Sequence, residues 1–145
     1  MDFGAYYEGY VSDMTRTVYY GDNISDRHVE IYNTVLEAQI LGVNTIKEGI
    51  MSDDVDKVVR NFLTEKGYGE YFGHGLGHGI GAEIHELPYL SSASHIELKE
   101  NMVVTSEPGL YFDGFGGVRI EDDVVVTKNG CEVLNKSQKE LIVIE

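Results

Sequence analysis

Two stretches of the chain repeat apolar residues at the spacing of an α-helix. The first begins behind Ser25, whose hydroxyl suits a helix N-cap, and ends near Gly49. The apolar residues that recur roughly every 3.6 positions there are Val29, Tyr32, Leu36, Ile40 and Val43. The pattern therefore predicts an amphipathic helix that packs this stripe against the core.

A second helical pattern begins at Ser52 and stops at Lys66-Gly67. Asp53 and Asp54 stand in its first turn, where the positive end of the helix dipole favours acidic side chains. The stripe that we expect to be buried comprises Val55, Val58, Val59, Phe62 and Leu63. Both patterns are typical of core helices and not of ligand-binding segments.

The other apolar segments are short and rich in β-branched and aromatic residues. Met1–Tyr20 predicts a hairpin that turns at Glu8-Gly9, and Lys128-Asn129-Gly130 predicts a second tight turn. Further strands are predicted over Met102–Thr105, Gly117–Thr127 and Glu132–Ile144. Residues 1–145 are therefore expected to form one α+β domain, with an antiparallel sheet covered by helices.

The charge balance narrows the choice of partners. The chain has 25 acidic and 11 basic residues, and a formal net charge of -14 repels phosphate backbones and anionic membrane surfaces. We expect neither nucleic acid nor a membrane as partner, and no apolar run approaches the roughly 20 residues of a membrane span. Cys131 is the single cysteine, which fits a reducing compartment, so a cytoplasmic protein is expected.

Two aspartates interrupt the first hairpin. Asp2 and Asp13 lie on its opposite arms, so their carboxylates can meet although they are distant along the chain. Two carboxylates close together repel each other unless a positive charge lies between them. By themselves, aspartates in a hairpin are also ordinary surface or turn residues, and the pair alone does not decide between these interpretations.

Three histidines fall in or just after a glycine-rich segment. His74 and His78 lie within Gly73–Gly81, and His85 follows in His85-Glu86-Leu87-Pro88. The seven glycines between Gly67 and Gly81 leave the backbone free to take conformations closed to other residues. A phosphate-binding loop is disfavoured because no Gly-Lys-Ser/Thr ending follows, and a zincin helix is disfavoured because Pro88 stands where such a helix would continue. Metal ligation by His78 or His74 remains open.

Two glutamates stand next to β-prone segments. Glu107 follows Met102–Thr105, and Glu121 lies in Val118-Arg119-Ile120-Glu121. A carboxylate in apolar surroundings costs several kcal/mol to bury unless it is paired or coordinated. Arg119 is one candidate partner for Glu121 and a metal ion is another. The whole set of aspartates, histidines and glutamates suits Mn, Co, Fe or Zn, and bridging carboxylates would hold two ions about 3.5–4 Å apart with a hydroxide between them.

These motifs, in this order, resemble the pita-bread metallopeptidases, which include methionine aminopeptidase, aminopeptidase P and prolidase (Xaa-Pro dipeptidase). The resemblance runs along nearly the whole chain. It rests on the eleven-residue gap between two aspartates, the Gly-His-Gly-Ile-Gly core, the histidine of His-Glu-x-Pro seven residues later, and Ser-Glu-Pro-Gly. The metal ligands that it implies are Asp2, Asp13, His78, Glu107 and Glu121.

The resemblance also implies a role for each ligand. Asp13 and Glu121 would bridge two divalent ions, most often Mn in this family, with Co, Zn or Fe as alternatives. Asp2 would chelate one ion, and His78 with Glu107 would complete the other. Glu107 would also accept the proton of the bridging water, which makes it catalytic as well as a ligand.

Three further residues would shape the site around the reacting bond. His85 would stabilise the tetrahedral intermediate or orient the substrate. His74, four residues before the ligand histidine, and Arg119, two residues before Glu121, resemble the proline-specific branch more than methionine aminopeptidase. Arg119 offers a planar fork to a carboxylate such as Asp2 and would hold it in place, although an ordinary surface ion pair is the alternative. The expected substrate is a small peptide with proline in the second position.

One departure from the family pattern concerns the start of the chain. The family's catalytic domain has helices and strands before the hairpin, whereas this chain begins one residue before Asp2, so we expect residues 1–145 to be the C-terminal part of that domain. An uncovered apolar face would then favour homo-oligomers. Alternatives are a non-catalytic relative that binds peptides or proteins, an inactive fragment, and creatinase-like hydrolysis without metal; the intact ligand set argues against the first and the last.

Overall fold

The computed structural model describes residues 1–145 and contains two α-helices, a 3-10 turn and thirteen short strands. The helices are α1 (Asp26–Thr45) and α2 (Ser52–Glu65), and the 3-10 turn is Gly69–Tyr71. In chain order the strands are β1 (Asp2–Phe3), β2 (Tyr6–Tyr7), β3 (Tyr10–Val11), β4 (Met14–Thr15), β5 (Val18–Tyr20), β6 (Gly77–Gly79), β7 (Glu86–Leu90), β8 (Val103–Ser106), β9 (Gly109–Phe112), β10 (Gly116–Arg119), β11 (Asp122–Thr127), β12 (Gly130–Val133) and β13 (Ile142–Ile144).

The central sheet has five antiparallel strands in the spatial order β12, β11, β8, β6, β7. Successive residues of a strand point to opposite faces of the sheet. On one face, Val104, Val124 and Val126 are fully buried in a core that the two helices share. On the other face lie Thr105 and Asp123, next to the short strands of the N-terminal hairpin. This alternation separates an apolar face from a polar one.

The two turns predicted from sequence are confirmed. Glu8-Gly9 joins β2 to β3, and both residues have positive φ angles, of 49° and 91°. Lys128 and Asn129 join β11 to β12, with Thr127 opposite Gly130. The α+β class and the antiparallel central sheet are confirmed as well.

The boundaries of α2 are confirmed, but one of its predicted core residues is wrong. The helix begins at Ser52 and ends at Glu65, and Gly67 follows with a φ of 84°. Val55, Val59 and Leu63 are fully buried, whereas Val58 is 38% exposed. Val58 lies one position before Val59 and so points about 100° away from the core around the helix.

The predicted stripe of α1 is partly wrong, although its Ser25 cap is confirmed by a hydrogen bond from the backbone N–H of His28. The helix ends at Thr45, earlier than the predicted Gly49, and Ile40 is 46% exposed. The buried residues are Ile31, Tyr32, Thr34, Val35, Ala38, Gln39 and Gly42. Close packing selects this face: a Cβ at Gly42 would lie 2.8 Å from Ser106 Oγ.

Two predicted strands are divided in the structure. The stretch Gly117–Thr127 breaks at Ile120-Glu121 into β10 and β11, and Glu132–Ile144 breaks into β12 and β13. β13 pairs with β5 in parallel, outside the predicted antiparallel pattern. The carbonyls of Ser137 and Gln138 accept hydrogen bonds from Arg16, which ties the segment between β12 and β13 to the chain beside β5.

Three strands, β6, β7 and β9, were not predicted. Glycine carries no side chain, so alternation is invisible in Gly77–Gly79, and Pro88 obscures β7. Neither α1 nor α2 combines the length and the apolar composition that a membrane crossing requires.

Candidate metal centre

His78 is held in the middle of the sheet by β6. Its backbone N–H donates to Thr105 Oγ1 at 3.0 Å, and its ring Nδ1 lies 3.0 Å from the Gly79 carbonyl oxygen. A carbonyl oxygen only accepts, so Nδ1 carries a proton and Nε2 of the neutral ring has a free lone pair. Nε2 lies 3.3 Å from Glu107 Oε1 and 3.9 Å from Asp13 Oδ2. The imidazole therefore presents a possible ligand atom to two carboxylates.

The glycines around His78 allow the strands to pack closely. None of the glycines between Gly73 and Gly81 has a positive φ angle, so their backbone conformation does not require glycine. A Cβ at Gly77 would lie 2.1 Å from the Thr105 carbonyl oxygen, and one at Gly79 would lie 2.5 Å from the Leu87 carbonyl oxygen. Such distances are impossible for a side chain. Glycine is therefore required at these two positions because no side chain fits there. The conformational freedom that the sequence suggested is not the reason.

Glu121 lies in the break between β10 and β11 and is 2% exposed. Its backbone N–H donates to the Thr15 carbonyl at 3.1 Å, and the Thr15 hydroxyl donates to Glu121 Oε2 at 2.5 Å. Burial, together with the negative charge of Glu107, raises the pKa of Glu121 to about 8. A carboxyl group in this position needs a proton or a bound cation at neutral pH.

Asp13 lies between β3 and β4 and is 7% exposed. Its backbone N–H donates to Asp123 Oδ2 at 3.0 Å. Burial and the nearby charge of Asp2 raise the pKa of the Asp13 carboxyl group. Burial opposes a charge on His78, but the hydrogen bond with Glu107 and the Gly79 carbonyl outweigh it, so the pKa of His78 is raised.

The side chains of Asp13, His78 and Glu121 converge, and one ligand atom from each lies within 4.8 Å of the others. Glu107 contacts His78 beside this group and accepts a hydrogen bond from the Thr105 hydroxyl at 3.1 Å. Carboxylates held together in a buried place, with raised pKa values and an imidazole nitrogen facing them, fit a divalent cation. The residues present therefore suit the metal that the family resemblance implies.

Asp2 is not among the three converging residues, and hydrogen bonds through Arg119 and Thr15 link it to Glu121. Arg119 Nη2 donates to Asp2 Oδ2 at 2.5 Å, and Nε donates to Thr15 Oγ1 at 3.1 Å. Its third nitrogen, Nη1, donates to the Tyr111 hydroxyl at 2.9 Å. The Asp2 side chain is 56% exposed, so this guanidinium and not burial fixes its position.

His74 joins the same network from the other side of Tyr111. Its Nδ1 lies 2.7 Å from the Gly75 carbonyl oxygen, and its Nε2 lies 3.0 Å from the Tyr111 hydroxyl. Since Nδ1 must donate to that carbonyl, Nε2 accepts from Tyr111 while Tyr111 accepts from Arg119. The Tyr111 hydroxyl therefore connects His74 to Arg119 through two hydrogen bonds, and His74 is not among the converging residues.

His85 lies in the exposed segment before β7, with its ring centroid 4.3 Å from that of His78. A cleft passes over His85 and His78 and is bordered by polar residues. Its other walls are formed by His74, Tyr89, Ser91, Glu107, Tyr111 and Arg119. A substrate in this cleft would contact an imidazole, a carboxylate and a phenol.

Four contributors to the site were not identified from sequence: Thr15, Thr105, Tyr111 and Asp123. Two of them carry a signal in their spacing, since Thr15 stands two residues after Asp13 and Asp123 two residues after Glu121. Residues two apart on extended chain share a face, which could have placed both side chains beside the ligands. Tyr111 and Thr105 have no comparable signal.

The fold and the cluster of acids with a histidine define a domain with a candidate metal-binding centre. The chain belongs to metallopeptidase family M24, whose family model matches residues 1–128. This result confirms the family resemblance drawn from the motifs, and the family is one that works with divalent metal ions.

Several relatives are similar along almost the whole chain. An Xaa-Pro dipeptidase from Pyrococcus horikoshii is 49% identical over 142 residues, which are 98% of this chain and 40% of the relative. The structure of an Xaa-Pro dipeptidase from Bacillus anthracis matches with a TM-score of 0.95 and 59% identity, over 99% of this chain and 40% of that one. An X-Pro aminopeptidase from Thermotoga maritima matches with a TM-score of 0.94 and 48% identity, over the same shares.

These matches confirm that the chain adopts the pita-bread fold over the part that it spans. The chain spans about 40% of the length of the relatives that it matches.

Proposed function

We propose that this chain carries the metal centre of a metal-dependent exopeptidase that hydrolyses Xaa-Pro peptide bonds, as an Xaa-Pro dipeptidase or an Xaa-Pro aminopeptidase. The observation that carries the proposal is the convergence of Asp13, His78 and Glu121 within 4.8 Å, with His78 also lining a cleft beside His85 and Glu107. The names of the relatives support the choice of substrate, because both Xaa-Pro dipeptidases and an X-Pro aminopeptidase are among them.

The proposed centre would hold two divalent ions, with manganese as the preferred metal. Asp13 and Glu121 would be shared by the two ions, Asp2 would complete one position, and His78 with Glu107 would complete the other. When bound, the ions would supply a hydroxide nucleophile at neutral pH and polarise the scissile carbonyl. Asp2 suits its role because Arg119 holds one of its oxygens and leaves the other available.

The chain's own side chains would handle protons and orientation. Glu107 lies 3.3 Å from His78 and borders the cleft, so it is the proposed acceptor of the proton of the attacking water. His85 is exposed in the same cleft without a hydrogen-bond partner, and is therefore free to donate to an oxygen of the reacting peptide. His74, held by Tyr111, is the proposed contact for the substrate beyond the scissile bond.

Metal binding by the purified chain is the first test. Titration calorimetry with Mn²⁺, followed by metal analysis after gel filtration, should show saturable binding of two ions per chain. The matched control is Asp53→Asn, which removes an acidic residue on α2 that pairs with His95 outside the cleft. A chain that binds no Mn²⁺, Co²⁺ or Zn²⁺ more tightly than does its Glu121→Gln variant would contradict the proposal.

Hydrolysis is best tested in a chimera, because the relatives are longer than this chain. Residues 1–145 would replace the matching 40% of the Pyrococcus horikoshii dipeptidase. Proline release from an Xaa-Pro dipeptide and amino-acid release from an Xaa-Pro tripeptide would be measured with Mn²⁺, and their ratio would separate the two activities. A folded chimera that binds metal and hydrolyses neither peptide would favour a non-catalytic binding role.

Association of the chain with itself is a further part of the proposal. Phe3, Tyr6, Tyr7 and Tyr10 of the N-terminal hairpin are between 55% and 74% exposed, an aromatic surface that favours contact with another copy. Light scattering after gel filtration should show a dimer or larger species. Tyr6→Ser combined with Tyr10→Ser should shift the chain toward a monomer.

A further inference from the structure

Asp123 is a buried acidic residue outside the proposed ligand set that forms a hydrogen bond with a residue of the metal centre. Asp123 is 4% exposed, and its Oδ2 accepts the backbone N–H of Asp13 at 3.0 Å. Its other oxygen, Oδ1, is buried and has no hydrogen-bond partner. Burial of an acidic group beside a second acid is unfavourable, so a neutral side chain of similar size would cost the fold less. The contact with Asp13 is the one interaction that the carboxyl group provides in return.

The backbone of Asp123 is anchored on both sides. Its N–H donates to Asn135 Oδ1 at 2.6 Å, and its carbonyl accepts from the Leu134 N–H at 2.9 Å. In the sheet it lies opposite Thr105, whose hydroxyl holds the backbone of His78. The Asp123 side chain therefore projects from a fixed point toward the loop that carries Asp13.

The neighbours of Asp13 are anchored within the hairpin, since Ser12 bonds to Ala5 and Met14 pairs with Phe3, but the N–H of Asp13 itself bonds to Asp123. It lies between β3 and β4, which are two residues each, and outside both of them. The bond to Asp123 joins this loop to β11, the strand that directly follows Glu121. One contact thus links the backbones that carry two of the converging side chains.

We propose that Asp123 is a positioning residue of the metal centre, which fixes the Asp13 backbone so that the Asp13 carboxylate meets His78 and Glu121. The function of this position as part of a metal centre rests on the proposed function. The hydrogen bond itself does not depend on the metal, and the two can be tested separately.

The first experiment follows the Asp13 amide in the metal-free chain by ¹⁵N NMR and hydrogen exchange. Asp123→Val removes the acceptor, and the Asp13 amide should then exchange at least about tenfold faster and shift upfield. Asp123→Asn keeps an acceptor oxygen and should keep the amide protected. Val125→Leu, on the same face two residues along the strand and half-buried, is the matched control and should change neither property.

The second experiment compares Mn²⁺ affinity by titration calorimetry in the same variants. Loss of a group that orients a metal ligand typically weakens metal binding by roughly 10–100-fold, so Asp123→Val should fall in that range. Asp123→Asn should stay within about threefold of the unmodified chain, because it restores the acceptor. A role limited to stability would lower the unfolding temperature of the valine variant without changing the affinity of its folded form.

The outcomes separate the two proposals. If the unmodified chain binds no metal, the proposed function fails while the amide measurement still decides the role of Asp123. If Asp13 remains protected in the valine variant, or if asparagine weakens binding as much as valine does, the positioning role is wrong. If the valine variant does not fold, Asp123→Ala replaces it with the same expectations. If neither of these variants folds, and the asparagine variant folds with an unprotected Asp13 amide, the positioning role is also wrong.

Discussion

The candidate metal centre has a floor and a rim, and the two are built in different ways. The floor, defined as Asp13, His78 and Glu121, is between 2% and 7% exposed. The rim, defined as Asp2, His74, His85, Tyr111 and Arg119, is much more open: the Asp2 side chain is 56% exposed and His85 lies in solvent. Both regions carry groups that the motifs single out, but only the floor is enclosed by the sheet.

The difference lies in what fixes each side chain. Backbone packing positions the floor: glycines let β6 approach β8, and strand alternation turns Asp123 and Thr105 to the polar face beside the floor. Side-chain hydrogen bonds through Tyr111 and Arg119 position His74 and Asp2 in the rim, whereas His85 makes no hydrogen bond. Changes in the floor should therefore alter stability and metal binding together, whereas changes in the rim should leave the fold nearly intact.

The largest effect is expected for Glu121→Gln, with opposite signs in the two states. Metal affinity should fall by more than the roughly 10–100-fold that loss of a ligand's supporting partner costs. The metal-free chain should instead become more stable at pH 7, by about 2–3 kcal/mol, because a buried amide, unlike the buried acid, does not have to take up a proton when the chain folds. Calorimetric titration and urea unfolding with and without Mn²⁺ measure the two changes.

The sign of this change in stability follows from the pKa of Glu121, which is about 8 in the folded chain against an ordinary value of 4.5. Since the folded chain holds the proton more tightly than the unfolded chain, the stability contributed by the neutral form is complete below about pH 4.5 and is lost as pH rises toward 8. Unfolding of the metal-free chain between these limits should show that decline, and a shallower one in Glu121→Gln. Equal slopes in both chains would contradict the burial argument.

The next largest effect is expected for Gly77→Ala. The added Cβ would lie 2.1 Å from a backbone oxygen of β8, so the strands must separate. A loss of about 3 kcal/mol in the free energy of unfolding is expected. Gly73→Ala is the matched control, because a Cβ there meets nothing within 4 Å. If the two variants unfold at the same urea concentration, close packing does not explain the glycines of β6.

Part of the fold could be predicted from the sequence, and part could not. The bounds of α2 and both tight turns follow from local signals, namely acidic residues in the first turn of the helix and the turn-forming residues Glu8-Gly9 and Lys128-Asn129-Gly130. The face of α1 does not, since apolar residues lie on two overlapping stripes and only the close approach at Gly42 decides between them. The pairing of β5 with β13 joins segments more than a hundred residues apart, and no local pattern encodes it.

The site shows the same division. The order of Asp2, Asp13, His78, Glu107 and Glu121 points to a family and so to a metal, without any knowledge of the strand that holds His78. What the order does not contain is the support around these residues. Thr15, Asp123 and Tyr111 act through hydrogen bonds to partners far along the chain, and such partners become visible only when the strands are placed side by side.

A smaller effect is expected for Tyr111→Phe in the rim. The change removes the hydroxyl that accepts from Arg119 and donates to His74, while Arg119 keeps its bonds to Asp2 and Thr15. Stability should fall by about 1 kcal/mol and Mn²⁺ affinity by less than about tenfold. Tyr89→Phe, which removes an exposed hydroxyl from the same cleft, is the control. A loss of affinity as large as that of Glu121→Gln would show that the rim is no less essential than the floor.

The smallest effect on the chain itself is expected for His85→Ala. His85 is exposed and makes no hydrogen bond, so the free energy of unfolding should change by less than about 0.5 kcal/mol and Mn²⁺ affinity by less than about twofold. In the chimera that tests hydrolysis, by contrast, kcat should fall by roughly 10²–10³-fold, because a donor to the developing oxyanion is lost. Glu83→Ala, in the same exposed segment, should leave both properties unchanged. A variant of His85 that loses metal affinity but keeps its kcat would place this histidine in the floor, and the division between the two regions would have to be drawn elsewhere.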